Sequence, residues 1–260
     1  MEFCKNCSQP IMSEGENQFY CSYKCLQDYI QKRNTEDLDP PLVLESQTES
    51  AWIVWFSIIA MLVGLVGVLL LISAVSENVE IALFLFMFSS GIIIYSVLNN
   101  IMPSDQFNEL LTFSNNSKTW RLIGIVLALD VFLVLPIHIA ITTLVFPDAT
   151  QQEVITMFDD ASNSSVLILA FTISILTPFA EEFLFRGFIL GMLMKRYSAN
   201  QSIIISSIIF AVAHEPIAMF LAFGGGLLYG WIRVKTGSIF PSMIAHAIWN
   251  SFITLVVLFY

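Results

Sequence analysis

Charge is scarce in this chain. Only 12% of its 260 residues are Asp, Glu, Lys or Arg, about half of the roughly 25% usual in soluble globular domains. Basic residues are scarcer still: 11 Lys and Arg stand against 21 Asp and Glu, for a net charge of −10. No basic run or stripe is left to neutralise phosphates, which excludes nucleic acid as a partner. Cysteine stops at Cys25, so no disulfide braces the rest of the chain. No secretory signal pattern opens it either, because the first apolar segment begins only near Trp52. No internal repeat is evident, and the Gly224-Gly225-Gly226 run lacks the strand–loop–helix setting and the Lys-Ser/Thr that a phosphate-cradling loop needs.

What fills the space is apolar: 56% of residues are hydrophobic and the mean hydropathy is +0.75. That composition is the mark of a polytopic membrane protein. Apolar segments fall at about 52–75, 79–101, 122–146, 166–194, 201–214, 217–232 and 239–259, as judged by the roughly 20 residues needed to span. The few basic residues then sort themselves. Lys32 and Arg33, Lys118 and Arg121, Lys195 and Arg196, and Arg233 and Lys235 occupy every second connection, and the others carry only acids. By the positive-inside rule this predicts an all-α bundle with a cytoplasmic amino terminus in a multi-pass protein of the cell membrane. Seven spans fit, or eight if one is missed or folded into the long fourth segment. Gly226 and Gly230 sit at the Gly-x-x-x-Gly spacing that lets helices approach closely.

Residues 1–35 form a separate unit. Cys4-x2-Cys7 and Cys21-x3-Cys25 have the paired spacing from which tetrahedral Cys4 zinc sites are built. The second pair begins a helix-like run and resembles a small zinc-ribbon or treble-clef module. Two disulfides are the rival reading, disfavoured by the reducing cytoplasm in which the topology puts this segment. Residues 36–50 are acidic, contain Pro40-Pro41 and read as an extended linker to a membrane domain over 51–260. The module is expected to be regulatory or to dock a protein partner, with structural zinc as its cofactor.

The chemistry concentrates in Thr177-Pro178-Phe179-Ala180-Glu181-Glu182-Phe183-Leu184-Phe185-Arg186-Gly187. Each charge at membrane depth costs at least about 2.5–3.5 kcal/mol, so such groups face protein or water and pair. On a helix Glu182 and Arg186 share a face one turn apart, and Glu181 points about 100° away. A structural Glu–Arg clamp is the plain alternative. Further on, His214 closes Phe210-Ala211-Val212-Ala213-His214, and His246 and Asn250 lie at i and i+4 of the last segment. Counting about 1.5 Å per residue from the cytoplasmic loops sets all of these at compatible depths. Taken singly, His214 could be a helix-end residue and His246 with Asn250 interhelical hydrogen-bond glue. Asp130 and His138 lack a companion motif and read as structural or cavity-lining. The His-Glu-x-x-His of zincin-type and site-two proteases is absent, since Ala218 stands where the second His would be. Gly-x-Ser-Gly and Gly-x-Gly-Asp are missing too, which argues against rhomboid and presenilin types.

Together, Glu181-Glu182-x3-Arg186, Phe210-x3-His214 and His246-x3-Asn250, in that order, resemble the CPBP family (CAAX proteases and bacteriocin-processing enzymes, including the Ras-converting prenyl endopeptidases). The resemblance covers about residues 120–260, leaving the cysteine module and first spans outside, and the family core usually has eight helices. It implies an intramembrane endopeptidase acting on a hydrophobic or lipidated peptide, with membrane lipids around it. By that resemblance Glu181 with His214 activates a water, His246 and Asn250 stabilise the oxyanion, and Glu182 with Arg186 holds the geometry. A zinc-dependent protease using the same two His and two Glu stays open at this point, as do a non-catalytic scaffold or maturation factor that binds hydrophobic peptides and, more weakly, a transporter.

Overall fold

The computed structural model describes residues 67, 78–146, 157–158 and 161–259. The Cys4 module, the acidic linker and the expected span at about 52–75 lie outside the described residues, apart from the single position Gly67. Every element among the described residues is helical: α1 (Val79–Ile101), α2 (Ser104–Leu110), α3 (Ser117–Val145), α4 (Ser165–Leu193), α5 (Ala199–Val212), α6 (Met219–Thr236) and α7 (Phe240–Phe259).

Capping residues account for several helix ends. The Asn116 side chain accepts from the Thr119 amide at the head of α3. Ser198 and Gln201 close a reciprocal capping box at the head of α5. Gly237 ends α6 at φ 75°, a left-handed conformation that suits glycine.

The long helices are not regular. α3 widens into a π-helical turn at Asp130–Val134 just before Pro136, and α4 does the same at Thr172–Leu176 just before Pro178. Proline lacks the amide proton, and its ring presses on the carbonyl four residues back, so a locally wider turn relieves both problems. A third π-helical stretch, Glu182–Ile189, follows in α4 and carries the acid–arginine motif.

Helices α4 and α7 form the middle of the bundle. α1 packs on α4, α3 on α6 and α7, and α5 mainly on α6, which also meets α7. At one end Ile94, Leu98, Phe107, Leu110, Phe183, Phe188, Ile239 and Met243 build a buried cluster from α1, α2, α4 and α7. The α5–α6 seam is tight where the Gly-x-x-x-Gly spacing predicts it. A Cβ on Gly226 would come within 3.0–3.1 Å of Ser207, backbone included, and one on Gly230 within 3.1 Å of Ile203. The opposite surfaces are greasy: Phe132 and Leu144 are 80% and 81% exposed. In water such residues would be an aggregation hazard; facing lipid they are the solvent-matched surface.

α1, α3, α4 and α7 are long and apolar enough to cross a membrane. The protein is therefore a membrane protein that is all-helical among the described residues, with four such helices there. The expected count of seven or eight is not reached among the described residues. Its first span lies outside the described residues. α5, at 14 residues, reaches only about 21 Å at 1.5 Å per residue, short of the roughly 30 Å hydrocarbon core, and α6, at 18 residues, reaches about 27 Å. The long fourth segment hides no extra crossing, since α4 runs as one uninterrupted helix from Ser165 to Leu193.

Candidate active site

Glu182 is fully buried on the inner face of α4, and one oxygen does double duty. Its Oε1 lies 3.2 Å from Arg186 Nη1 and 3.0 Å from His246 Nδ1 on α7. A carboxylate beside a guanidinium can only accept, so the Nδ1 of His246 carries the proton. That leaves Nε2 as the working nitrogen, and it faces Glu181 Oε2 at 3.7 Å. The two adjacent glutamates therefore diverge, as helical geometry requires. Glu182 is sealed at 0% exposure, whereas the Glu181 side chain keeps 20%.

Arg186, 1% exposed, is held by Glu182, two aromatic rings and one backbone carbonyl. Its guanidinium lies over the Phe210 ring at 4.4 Å and the Tyr229 ring at 5.4 Å, and Nη2 donates to the Gly226 carbonyl at 3.4 Å. Such π faces are worth about 0.5–2 kcal/mol each and help offset the loss of water around a buried cation. Close approach at Gly226 thus serves the site as well as the α5–α6 seam, because it brings that carbonyl within reach.

His214 lies in the turn after α5. Its Nδ1 donates to the Phe210 carbonyl at 2.7 Å, which again fixes the tautomer and turns Nε2 outward. The Phe210 ring touches both imidazoles edge-on, at 4.6 Å from His214 and 6.0 Å from His246. Among the described residues no hydrogen bond or ion pair joins His214 to Glu181 directly. Asn250 spends an amide proton on the Ile173 carbonyl, 3.0 Å away inside the first π-helical turn of α4. The structure therefore joins Glu181, Glu182, Arg186 and His246 in one contact network, brings His214 to it through Phe210, and leaves Asn250 bonded beside it with its second amide proton uncommitted in that contact.

Two neighbours were not singled out by motif. Tyr229 stacks on His246, with ring centroids 4.7 Å apart and planes at 23°. Its hydroxyl donates to Asp130 Oδ2 at 3.2 Å. Asp130 is 1% exposed and stands at the head of the π-helical turn of α3, so it is part of the site's surroundings and not an isolated structural acid. An acid in mid-span is signal enough to flag it; Tyr229 carries no such signal, because a tyrosine in an apolar helix is ordinary. His138, later in α3, is buried, and no described contact ties its ring to this network.

Among the described residues no group of three or more His, Cys, Asp or Glu is disposed to hold a metal ion. Both Nδ1 atoms are committed, to Glu182 and to the Phe210 carbonyl, which leaves each Nε2 as the ring nitrogen open to a proton or a metal. The four cysteines lie outside the described residues.

Comparison with known proteins points the same way as the three motifs. Residues 163–252 match the family model "Type II CAAX prenyl endopeptidase Rce1-like". The chain is 31% identical over 96 residues to the "Uncharacterized 24.3 kDa protein" of Escherichia coli, covering 35% of this chain and 44% of that protein. It is 30% identical over 95 residues to the "Membrane-embedded CAAX protease MroQ" of Staphylococcus aureus (strain USA300), covering 34% of this chain and 38% of that protein. The matched stretch thus spans less than half the length of these relatives. No solved structure matches the chain. The family match encloses all six motif residues, from Glu181 to Asn250, so the stretch that carries the candidate site is similar to that of CAAX-type membrane proteases.

Proposed function

We propose that this protein is an intramembrane endopeptidase that hydrolyses a peptide bond in a hydrophobic or lipidated, CAAX-type substrate. One observation carries the reading: Glu181 is a partly accessible carboxylate 3.7 Å from an imidazole nitrogen whose tautomer is set by a second, sealed carboxylate. A carboxylate in a largely dry pocket is suited to take a proton from water. In this reading Glu181 removes that proton as the water oxygen bonds to the scissile carbonyl carbon. The carbonyl electrons move onto oxygen, and the resulting oxyanion accepts hydrogen bonds from His246 Nε2–H, in the imidazolium form, and from the remaining Asn250 amide proton. Preorganised donors of this kind are often the largest single contribution to rate. His214 Nε2, turned outward by its bond to Phe210, orients the water. Collapse of the intermediate breaks the C–N bond, and the proton held by Glu181 passes to the leaving amine. Glu182 and Arg186 act by holding His246.

The membrane domain is taken to lie in the cell membrane with its amino terminus in the cytoplasm. The Cys4 module is taken as a zinc-stabilised docking element for a protein partner.

The test is cleavage of a hydrophobic peptide library by the purified protein, with and without chelator, read by mass spectrometry. Glu181→Gln is expected to abolish product, by at least about 100-fold, while the variant remains folded and inserted. Unchanged product from that variant overturns the mechanism, and peptide binding without product by the native chain overturns the enzyme.

A further inference from the structure

Nothing in the three motifs accounts for a buried acid on α3 joined to a tyrosine on α6. We propose that Asp130 and Tyr229 are positioning residues that hold the His246 imidazole in register with Glu181 and Glu182; the catalytic consequence rests on the endopeptidase reading above, the structural one does not.

The geometry is a chain of contacts across three helices. Asp130 Oδ2 accepts from the Tyr229 hydroxyl at 3.2 Å, and the Tyr229 ring lies nearly parallel on His246 at 4.7 Å. His246 in turn gives its Nδ1 proton to Glu182 at 3.0 Å. A single hydrogen bond at Nδ1 fixes one edge of an imidazole and leaves the ring free to swing about that edge. A flat ring stacked on its face removes the swing, but only if the stacking ring is itself fixed. A tyrosine inside an apolar bundle needs a partner for its hydroxyl, and Asp130 supplies one. The partner is an unusual choice. A serine or a backbone carbonyl would satisfy the hydroxyl at far smaller desolvation cost than a carboxyl at 1% exposure. Asp130 also begins the π-helical turn before Pro136, so the widening that the proline imposes presents this side chain toward α6.

A purely structural bond tying α3 to α6 would stabilise the bundle without governing the imidazole, and the two roles separate experimentally. The chain has three histidines, so ¹⁵N-histidine labelling in detergent micelles gives few ring signals, and His246→Gln assigns the one of interest. In the native protein the His246 Nδ1 proton should give a downfield, exchange-protected signal from its bond to Glu182. Tyr229→Phe keeps the ring and removes only the anchor; Asp130→Leu removes the anchor's acceptor. Both should broaden or abolish that signal, and Asp130→Asn, which still offers an acceptor, should restore it. An unchanged His246 signal in Tyr229→Phe overturns the proposal, whether or not a substrate has been found.

In the cleavage assay Tyr229→Phe and Asp130→Leu should each lower kcat by about 10–100-fold with little change in KM, the size expected for small misplacement of a reacting group. The double variant should be no worse than either single one, because both break the same chain. Independent, multiplicative losses overturn the proposal, as does loss of folded protein with native kcat in what remains. Native kcat in Tyr229→Phe alongside an inactive Glu181→Gln removes the positioning role and leaves the enzyme. Native kcat in Glu181→Gln alongside a lost His246 signal in Tyr229→Phe removes the mechanism and leaves the positioning.

Discussion

Arg186→Leu is the most informative stability experiment on this bundle, because the structure gives both its magnitude and its cure. The guanidinium sits 3.2 Å from Glu182 Oε1, with side chains 1% and 0% exposed. At an effective dielectric near 20, opposite unit charges at that distance attract by about 5 kcal/mol. Measured losses on breaking one side of a buried pair are about 3–5 kcal/mol, chiefly because the surviving charge is stranded. Arg186→Leu strands Glu182 with His246 as its remaining donor and strips the cation from the Phe210 and Tyr229 rings. A loss of about 3–5 kcal/mol is therefore expected. Glu182→Leu should cost less, since Arg186 keeps two π faces and the Gly226 carbonyl. The decisive variant is the double one. With both charges gone no buried charge is stranded and only the neutral His246 Nδ1–H loses its acceptor, so Glu182→Leu/Arg186→Leu should be more stable than Arg186→Leu alone. SDS titration in mixed micelles, followed by far-UV circular dichroism, gives all three values. A double variant whose loss equals or exceeds the sum of the single losses would refute the stranded-charge argument.

Gly226→Ala should destabilise the α5–α6 seam by about 1–3 kcal/mol by overpacking, since its Cβ would meet Ser207 Cα at 3.1 Å and backbone cannot give way. Gly230→Ala meets only the Ile203 side chain, and thermal melts in detergent should rank it well below Gly226→Ala. Asn250→Ala leaves the Ile173 carbonyl without its 3.0 Å donor; a stability loss of about 1–3 kcal/mol should accompany a fall in cleavage rate, checked by melts and kinetics together. Elemental analysis of the full chain should find one zinc per protein, lost in Cys4→Ser/Cys7→Ser; a metal-free native chain would end the zinc assignment.

Much of this molecule is legible without coordinates because hydrophobicity and helical periodicity are local. The long apolar segments announce α1, α3, α4 and α7. Glu182 and Arg186 must share a face because they are four residues apart, and Glu181 must diverge from its neighbour for the same reason. The count of crossings reads less well. Composition alone cannot tell a 14-residue apolar helix such as α5 from a full span, and that segment meets its neighbours through small residues and a turn at His214.

What no local pattern could supply is partnership across the bundle. That one oxygen of Glu182 serves both Arg186 and His246, that Asn250 turns to Ile173, and that Asp130 reaches His246 through Tyr229 depend on helix crossings far apart in sequence. Proline-induced widening of α3 and α4 sets which side chains and carbonyls point inward there. The sequence determined that acids, imidazoles and an amide enter the membrane. Packing alone decided which atom of each faces which, because hydrogen bonds and ring contacts between distant segments exist only once the helices have docked.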